Sequence, residues 1–345
     1  MKKYFMVFFI ILIISTSFAY EKNWKLVWEY PIGKPVPQIS IMNFGVPGIV
    51  ITKDNLLIAP TWNGKIYCFS NRKLLWKKDL GSPIYHDIKI DKDLILVTTY
   101  DGILHGISKK NGYEEWSAKF KNPVTSNIIV ENQTIYCAAG KKIYSVSEEG
   151  KIINSNVLPT TITMLAKLKN FFALDKYGRV YRIDNNLKLI SFFNINFNEQ
   201  NPPFYFDGYA VFTTIQGTIL FYKDKIEYNM ISLPDGIISK PIISDDKKSF
   251  YILTSSGKLF QVNSKEIMNY YDSQFYAVGS LAKYNKKLYF PSIYGKMYVI
   301  NEELLHVKEF NIATLPNNNI VFDSNDGFYF LGIDGKLYYY LKVFQ

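Results

Sequence analysis

The stretch Asn63-Gly-Lys-Ile-Tyr-Cys-Phe-Ser70 decides the fold, because the chain repeats it. Asp101-Gly-Ile-Leu-His-Gly-Ile-Ser108, Tyr177-Gly-Arg-Val-Tyr-Arg-Ile-Asp184 and Gln216-Gly-Thr-Ile-Leu-Phe-Tyr-Lys223 share its pattern. So do Ser256-Gly-Lys-Leu-Phe-Gln-Val-Asn263, Tyr294-Gly-Lys-Met-Tyr-Val-Ile-Asn301 and Asp334-Gly-Lys-Leu-Tyr-Tyr-Tyr-Leu341. A degenerate copy, Gly140-Lys-Lys-Ile-Tyr-Ser-Val-Ser147, has its Gly displaced by one. The aligned apolar residues (Ile66, Leu104, Ile143, Val180, Ile219, Leu259, Met297, Leu337) follow one another at 37 to 40 residues. Eight copies of one period define a repeat architecture.

Each copy reads as four short strands. Before the Gly lies an apolar, β-branched run such as Leu94-Ile-Leu-Val-Thr-Thr-Tyr100, and before that a shorter one such as Ile88-Lys-Ile90. Polar turns such as Asp91-Lys92-Asp93 separate them, and after the Gly a third strand leads through turns like Lys110-Asn111-Gly112 to a fourth. Alternating apolar runs bounded by Asn, Asp and Gly are hairpin signals. The repeated Gly sits at the tight turn between second and third strands, where a positive φ is cheap only without a Cβ. Four-stranded repeats of this length predict an all-β fold, an eight-bladed β-propeller of antiparallel blades.

The ends of the chain predict how the ring closes. Leu26-Val-Trp-Glu-Tyr-Pro-Ile-Gly-Lys-Pro35 matches Leu74-Leu-Trp-Lys-Lys-Asp-Leu-Gly-Ser-Pro83, a fourth strand, yet has no blade before it. The last copy reaches its third strand and stops at Gln345. The N-terminal strand is therefore expected to complete blade eight. Trp28 and Trp76 are 48 residues apart, longer than the period, which places an insertion at Pro35–Pro47.

Residues 1–19 read as a secretory signal peptide: Lys2 and Lys3, an apolar run from Tyr4 to Ile14, and Ser17-Phe18-Ala19 at the cleavage site. The run falls short of the roughly 20 residues of a spanning helix. No Cys follows it, so a lipoprotein anchor is not expected. Residues 20–345 form the propeller, expected in the periplasm or secreted, with no later transmembrane segment. Hydrophobic content of 48% suffices for a core, and the net charge of +10 favours acidic partners. Outside the cytoplasm these are acidic glycans, peptides or protein patches rather than nucleic acid. Cys68 and Cys137 fall in blades one and three, so their Cα atoms are expected beyond the roughly 7 Å of a disulfide.

The consensus Gly-Lys-Ile-Tyr, followed by Leu-Leu-Trp and Leu-Gly-x-Pro, resembles the pyrroloquinoline-quinone-like repeat. That is the blade of quinoprotein dehydrogenases and of the outer-membrane-assembly lipoprotein propeller. The likeness is strongest around Trp28, Trp76 and Trp116; later blades lose the Trp. The resemblance implies a protein-interaction scaffold with an envelope protein partner. A propeller binding a glycan, peptide or small ligand is the alternative. The quinoprotein reading implies a vicinal Cys pair and calcium ligands, and this sequence has neither in recognisable form, so neither cofactor nor metal is expected and the reading leans away from an enzyme.

Candidate binding residues follow from topology. The turns before the repeated Gly carry Trp62, Tyr100, Tyr177 and Tyr294. They share a face with the segments leading into the inner strands, near Tyr85, His86, Asn127 and Lys240. Exposed aromatics of this kind anchor partners. His105 replaces the repeat Tyr and is expected to pack. Asp323-Ser-Asn-Asp-Gly327 falls on a hairpin turn and is expected to make an Asx turn rather than hold calcium.

Overall fold

The computed structural model describes residues 23–34, 47–195, 201–223, 227–278 and 281–343. The signal-peptide segment 1–19 and insertion residues 35–46 lie outside these. Among the described residues, thirty-two strands form eight four-stranded antiparallel sheets. Blade 1 runs outward through Val50–Ile51, Leu56–Pro60, Lys65–Ser70 and Lys73–Asp79. Blade 2 runs through Lys89–Asp91, Leu94–Thr99, Ile103–Ser108 and Glu114–Lys119. Blades 3 to 8 follow in chain order.

Blade 8 is closed as the sequence predicts. Asn23–Pro31 pairs antiparallel with Lys336–Val343, from Asn23 opposite Val343 to Pro31 opposite Lys336. One recurrent hydrogen bond shows that this strand takes the place of an ordinary fourth strand. Just past the outer strand of most blades an N–H donates to the turn glycine's carbonyl: Leu80 to Gly64, Phe120 to Gly102, Ile195 to Gly178, Leu233 to Gly217 and Ile312 to Gly295; in blade 3, with its displaced Gly, Leu158 donates to Lys141 instead. In blade 8 the donor is Ile32 and the acceptor Gly335, 3.0 Å apart, although the two belong to opposite ends of the chain.

The turn glycine is required twice over. Gly257 has φ +80°, and a Cβ there would stand 1.9 Å from the Phe275 carbonyl oxygen. The turn of one blade is thus pressed against the segment leading into the next. Apolar clusters span the same boundaries. Leu96 and Leu104 of blade 2 pack with Ile135, Cys137 and Val146 of blade 3. Ile32, Leu337 and Tyr339 of blade 8 pack with Ile49, Leu57 and Phe69 of blade 1. No blade covers its own faces.

Where later blades lose the Trp, the structure shows what replaces it. Trp76 lies opposite Cys68 on the outer strand of blade 1, and its indole N–H donates to the Lys109 carbonyl of blade 2 at 2.9 Å. At the same register stand Asn154, Asn229 and Asn269, opposite Ser145, Phe221 and Gln261. Their amides donate to the carbonyls of Asn186, Ser264 and Glu303 of the next blade, at 2.9, 2.7 and 3.0 Å. The side chains differ and the fastening is the same. Each asparagine also turns its Oδ1 onto the N–H of the residue after it: Ser155, Met230 and Tyr270.

Both cysteines are free and buried, and burial pushes their thiols up to about 12. Asp323 makes the expected Asx turn, accepting the N–H groups of Asn325 and Gly327. His105 is buried between Thr99 and Glu114. Four of the basic residues after the glycine meet acids near the outer edge: Lys65 pairs with Asp79, Lys258 with Asp235, Lys296 with Glu309 and Lys336 with Glu29.

A chain lacking residues 23–34 is expected to melt at least about 10 °C lower, or without cooperativity, by calorimetry; melting within about 2 °C of the intact protein would refute closure by this strand. Asn269→Ala removes one inter-blade bond and one edge cap. Urea denaturation is expected to show a loss of about 0.5–1.5 kcal/mol.

Candidate functional site

The innermost strands converge on the axis, and one register position faces it. Gly48, Asp87, Asn127, Lys240 and Asn319 each stand two residues before the first-strand residue paired with the second strand's equivalent position: Val50, Lys89, Ile129, Ile242 and Val321. Two of these side chains bond to the neighbouring blade, and two bond to each other. The Asn127 amide donates to the Leu165 carbonyl and accepts the Leu165 N–H, clipping blade 3 to blade 4. Asn319 makes the same two bonds with Ile49, clipping blade 8 to blade 1. Asn127, a candidate from sequence, is thus engaged in holding the ring.

Asp87 and Lys240 do something different. They belong to blades 2 and 6, which an eight-membered ring places opposite one another, and the Lys240 ammonium donates to Asp87 Oδ2. The other carboxylate oxygen accepts the Gly48 N–H at 2.9 Å. The pair therefore spans the channel mouth. Burial alone would raise the Asp87 pKa, but the Lys240 charge and these hydrogen bonds outweigh it, and the carboxyl is held below its usual range. Beside it, burial lowers the His86 pKa, opposed by the Asp87 charge and a hydrogen bond to the Val124 backbone.

The aromatic candidates separate into two groups. Tyr85 and Tyr100 of blade 2 meet edge to face with centroids 5.5 Å apart. Tyr294 of blade 7 makes the same contact with Phe275, also at 5.5 Å. Backbone bonds hold these turns to one face: the Trp62 carbonyl accepts the Ile84 N–H, Pro83 accepts from Tyr100, and Tyr276 accepts from Ile293. Blades 7, 8, 1 and 2 are consecutive, so the two ring pairs and Trp62 form an arc. Tyr294 is 65% exposed and Tyr276 61%. Trp62 is half-buried, its indole 3.4 Å from the Lys34 carbonyl of the closing segment. Tyr177, 66% exposed, stands apart on blade 4 with the Lys176 ammonium 5.0 Å from its ring centroid.

Sequence reasoning missed Phe275 and Tyr276. Their signal was the Phe-Tyr pair eighteen residues before the Tyr294 turn, in the segment that leads into blade 7. It also missed that Asp87 and Lys240 meet, since 153 residues separate them.

Comparison with known proteins places the chain. The family model described as outer membrane protein assembly factor BamB matches residues 21–201. No curated protein sequence matches. Among solved structures, BamB from Moraxella catarrhalis is similar over 92% of this chain and 98% of its own, with 11% identity and a TM-score of 0.69. The computationally designed Ika8 protein is similar over 90% of this chain and 100% of its own, at 11% identity and TM-score 0.72. Saccharomyces cerevisiae Sqt1 is similar over 94% and 100%, at 9% identity and TM-score 0.72. At these identities the structural likeness speaks for the fold alone.

The channel pair predicts a pH dependence. With a lowered folded pKa, the Asp87 carboxylate stabilises the protein above its unfolded value, near 3.9, and that stability is lost as pH falls through the folded value. Both side chains are partly exposed, which limits the effect to about 0.5–1 kcal/mol. Asp87→Asn is expected to lower stability by about that much at neutral pH, with the gap to the parent protein narrowing below about pH 4. Denaturation curves across pH check this; a constant gap would contradict it.

Proposed function

The chain belongs to the family described as outer membrane protein assembly factor BamB, and we propose that it is a non-enzymatic scaffold that holds a protein partner during envelope protein assembly. The supporting observation is the aromatic arc. Tyr85, Tyr100, Tyr294 and Phe275 stand on one face as two edge-to-face pairs with exposed rings. Rigid aromatics cost little entropy on binding and anchor interfaces. The ring beneath them is tied blade to blade, so the arc is preorganised.

The leader Met1–Ala19 directs the chain to the periplasm or beyond, with cleavage after Ala19 in this reading. No helix among the described residues is long and apolar enough to cross a membrane. The net charge of +10 favours an acidic partner surface. An acidic glycan or peptide at the channel mouth is the second reading, and it rests on the same net positive charge. The quinoprotein reading has little behind it, because the two thiols belong to different blades.

Mild crosslinking in the native envelope fraction, followed by mass spectrometry, tests the arc. Tyr100→Ala with Tyr294→Ala is expected to reduce a stoichiometric partner several-fold while melting stays within about 2 °C. Tyr177→Ala, off the arc, is expected to retain it. Equal recovery from both proteins would overturn the proposed face.

A further inference from the structure

Among the described residues, no strand pairs beside any of the eight outer strands, and an unpaired edge is a template for another strand. Most of these edges are blunted. Asn23–Pro31 carries Lys25 and Glu29, and Lys73–Asp79 carries Lys77 and Lys78. Glu114–Lys119 carries Glu115, and Val307–Asn311 carries Lys308 and Glu309. The outer strands of blades 3, 5 and 6 are blunted by their asparagines, whose Oδ1 atoms occupy the N–H groups of Ser155, Val157, Met230 and Tyr270.

Among the described residues, the outer strand of blade 4, Leu189-Ile-Ser-Phe-Phe-Asn194, has neither device. It contains no charged residue. Ser191, opposite Arg182, holds the register that Asn154, Asn229 and Asn269 hold elsewhere. The outward N–H of Phe192 thus has no counterpart of the caps on Ser155, Met230 and Tyr270. The side chains along it are apolar and open to solvent, Ile190 at 56% and Phe192 at 62%. The strand carries a β-bulge at Ile190, as the outer strands of blades 1, 2, 3 and 6 do at the same register, and it is held in place. Asn154 and Asn156 of blade 3 fasten the carbonyls of Asn186 and Leu187 just before it. Phe193 stacks on Tyr222 of blade 5 with centroids 4.2 Å apart. Tyr222 also lines a cleft of about 150 Å³ between blades 4 and 5, together with Phe172, Tyr205 and Lys169.

We propose that this edge accepts an extended segment of a partner polypeptide as a fifth strand of blade 4, one with apolar residues at alternate positions and acidic residues at its ends. The unpaired backbone specifies a strand, because only a strand meets its N–H and C=O groups in register. The charges specify the flanks: Lys188 precedes the strand and Arg179 lies opposite its last residue, Asn194. A second copy of this chain is a poor occupant. Two rigid rings meeting along six residues would bury well under the roughly 1,000 Å² of a stable interface, whereas a flexible segment can also reach the cleft. This surface is separate from the aromatic arc and does not rest on it.

The test uses the full-length protein and a fluorescein-labelled probe peptide of alternating Val and Thr with a Glu at each end. Saturable binding by anisotropy is expected, and a probe with Pro at its central position is expected to bind at least about tenfold more weakly. Ser191→Asn installs the cap used by blades 3, 5 and 6 and is expected to weaken binding about tenfold without lowering the melting temperature. Ile190→Lys with Phe192→Lys, at exposed positions, is expected to do the same. Tyr100→Ala with Tyr294→Ala is expected to leave probe binding unchanged. No saturable binding, equal binding of the Pro probe, or undiminished binding to both edge variants would each overturn the proposal. Loss on the arc variant, with retention on the edge variants, would move the site to the other face.

Discussion

The antiparallel pairing of Asn23–Pro31 with Lys336–Val343 is the constraint on which the rest depends. Every blade has two apolar faces and covers them only with its neighbours. A ring therefore has no stable partial form: one missing outer strand exposes Tyr339 and Leu337 of blade 8 and, through them, Ile49 and Phe69 of blade 1. Because blade 8 receives the same turn bond as its fellows, the seam is built like any other boundary.

Around that ring, besides the apolar clusters, three kinds of link between blades reach the backbone. Turn glycines press on the next segment, inner asparagines clip neighbouring strands, and outer Trp or Asn side chains fasten the next turn. All three end on backbone groups of the neighbouring blade or the segment leading into it. Their combined effect is a stiff frame for the arc of Tyr85, Tyr100, Tyr294 and Phe275. The asparagines of blades 3, 5 and 6 add protection of the exposed edge, a property that the larger indole lacks.

The fold was legible because its signals are local and repeated. A glycine at a tight turn, an alternating run and a period near 40 residues can be read without knowing what touches what. The Asp323 turn was legible for the same reason. The replacement of Trp by Asn was not, since the two share neither size nor polarity; only the common register opposite Cys68, Ser145, Phe221 and Gln261 reveals one task. The site was half legible. Topology put Tyr85 and Tyr100 on one face, but ring order decided that they group with Tyr294 and not with Tyr177. Asn127 carried no mark in the sequence of the clip it makes. The meeting of Asp87 and Lys240 is a product of diametric placement, which no window along the chain contains.

The closing pair also fixes an order of events. Asn23 and Val343, opposite one another in the sheet, are about 320 residues apart in the chain, so the first strand made is the last to be paired. Such non-local contacts form late and slowly. While the intervening blades assemble, Trp24 and Trp28 wait without their partners Phe328 and Tyr329. A chain halted during synthesis would keep that apolar surface on display, where chaperones and proteases act on it. The seam thus works as a check on completeness: only a chain read through to its final strand can conceal its beginning.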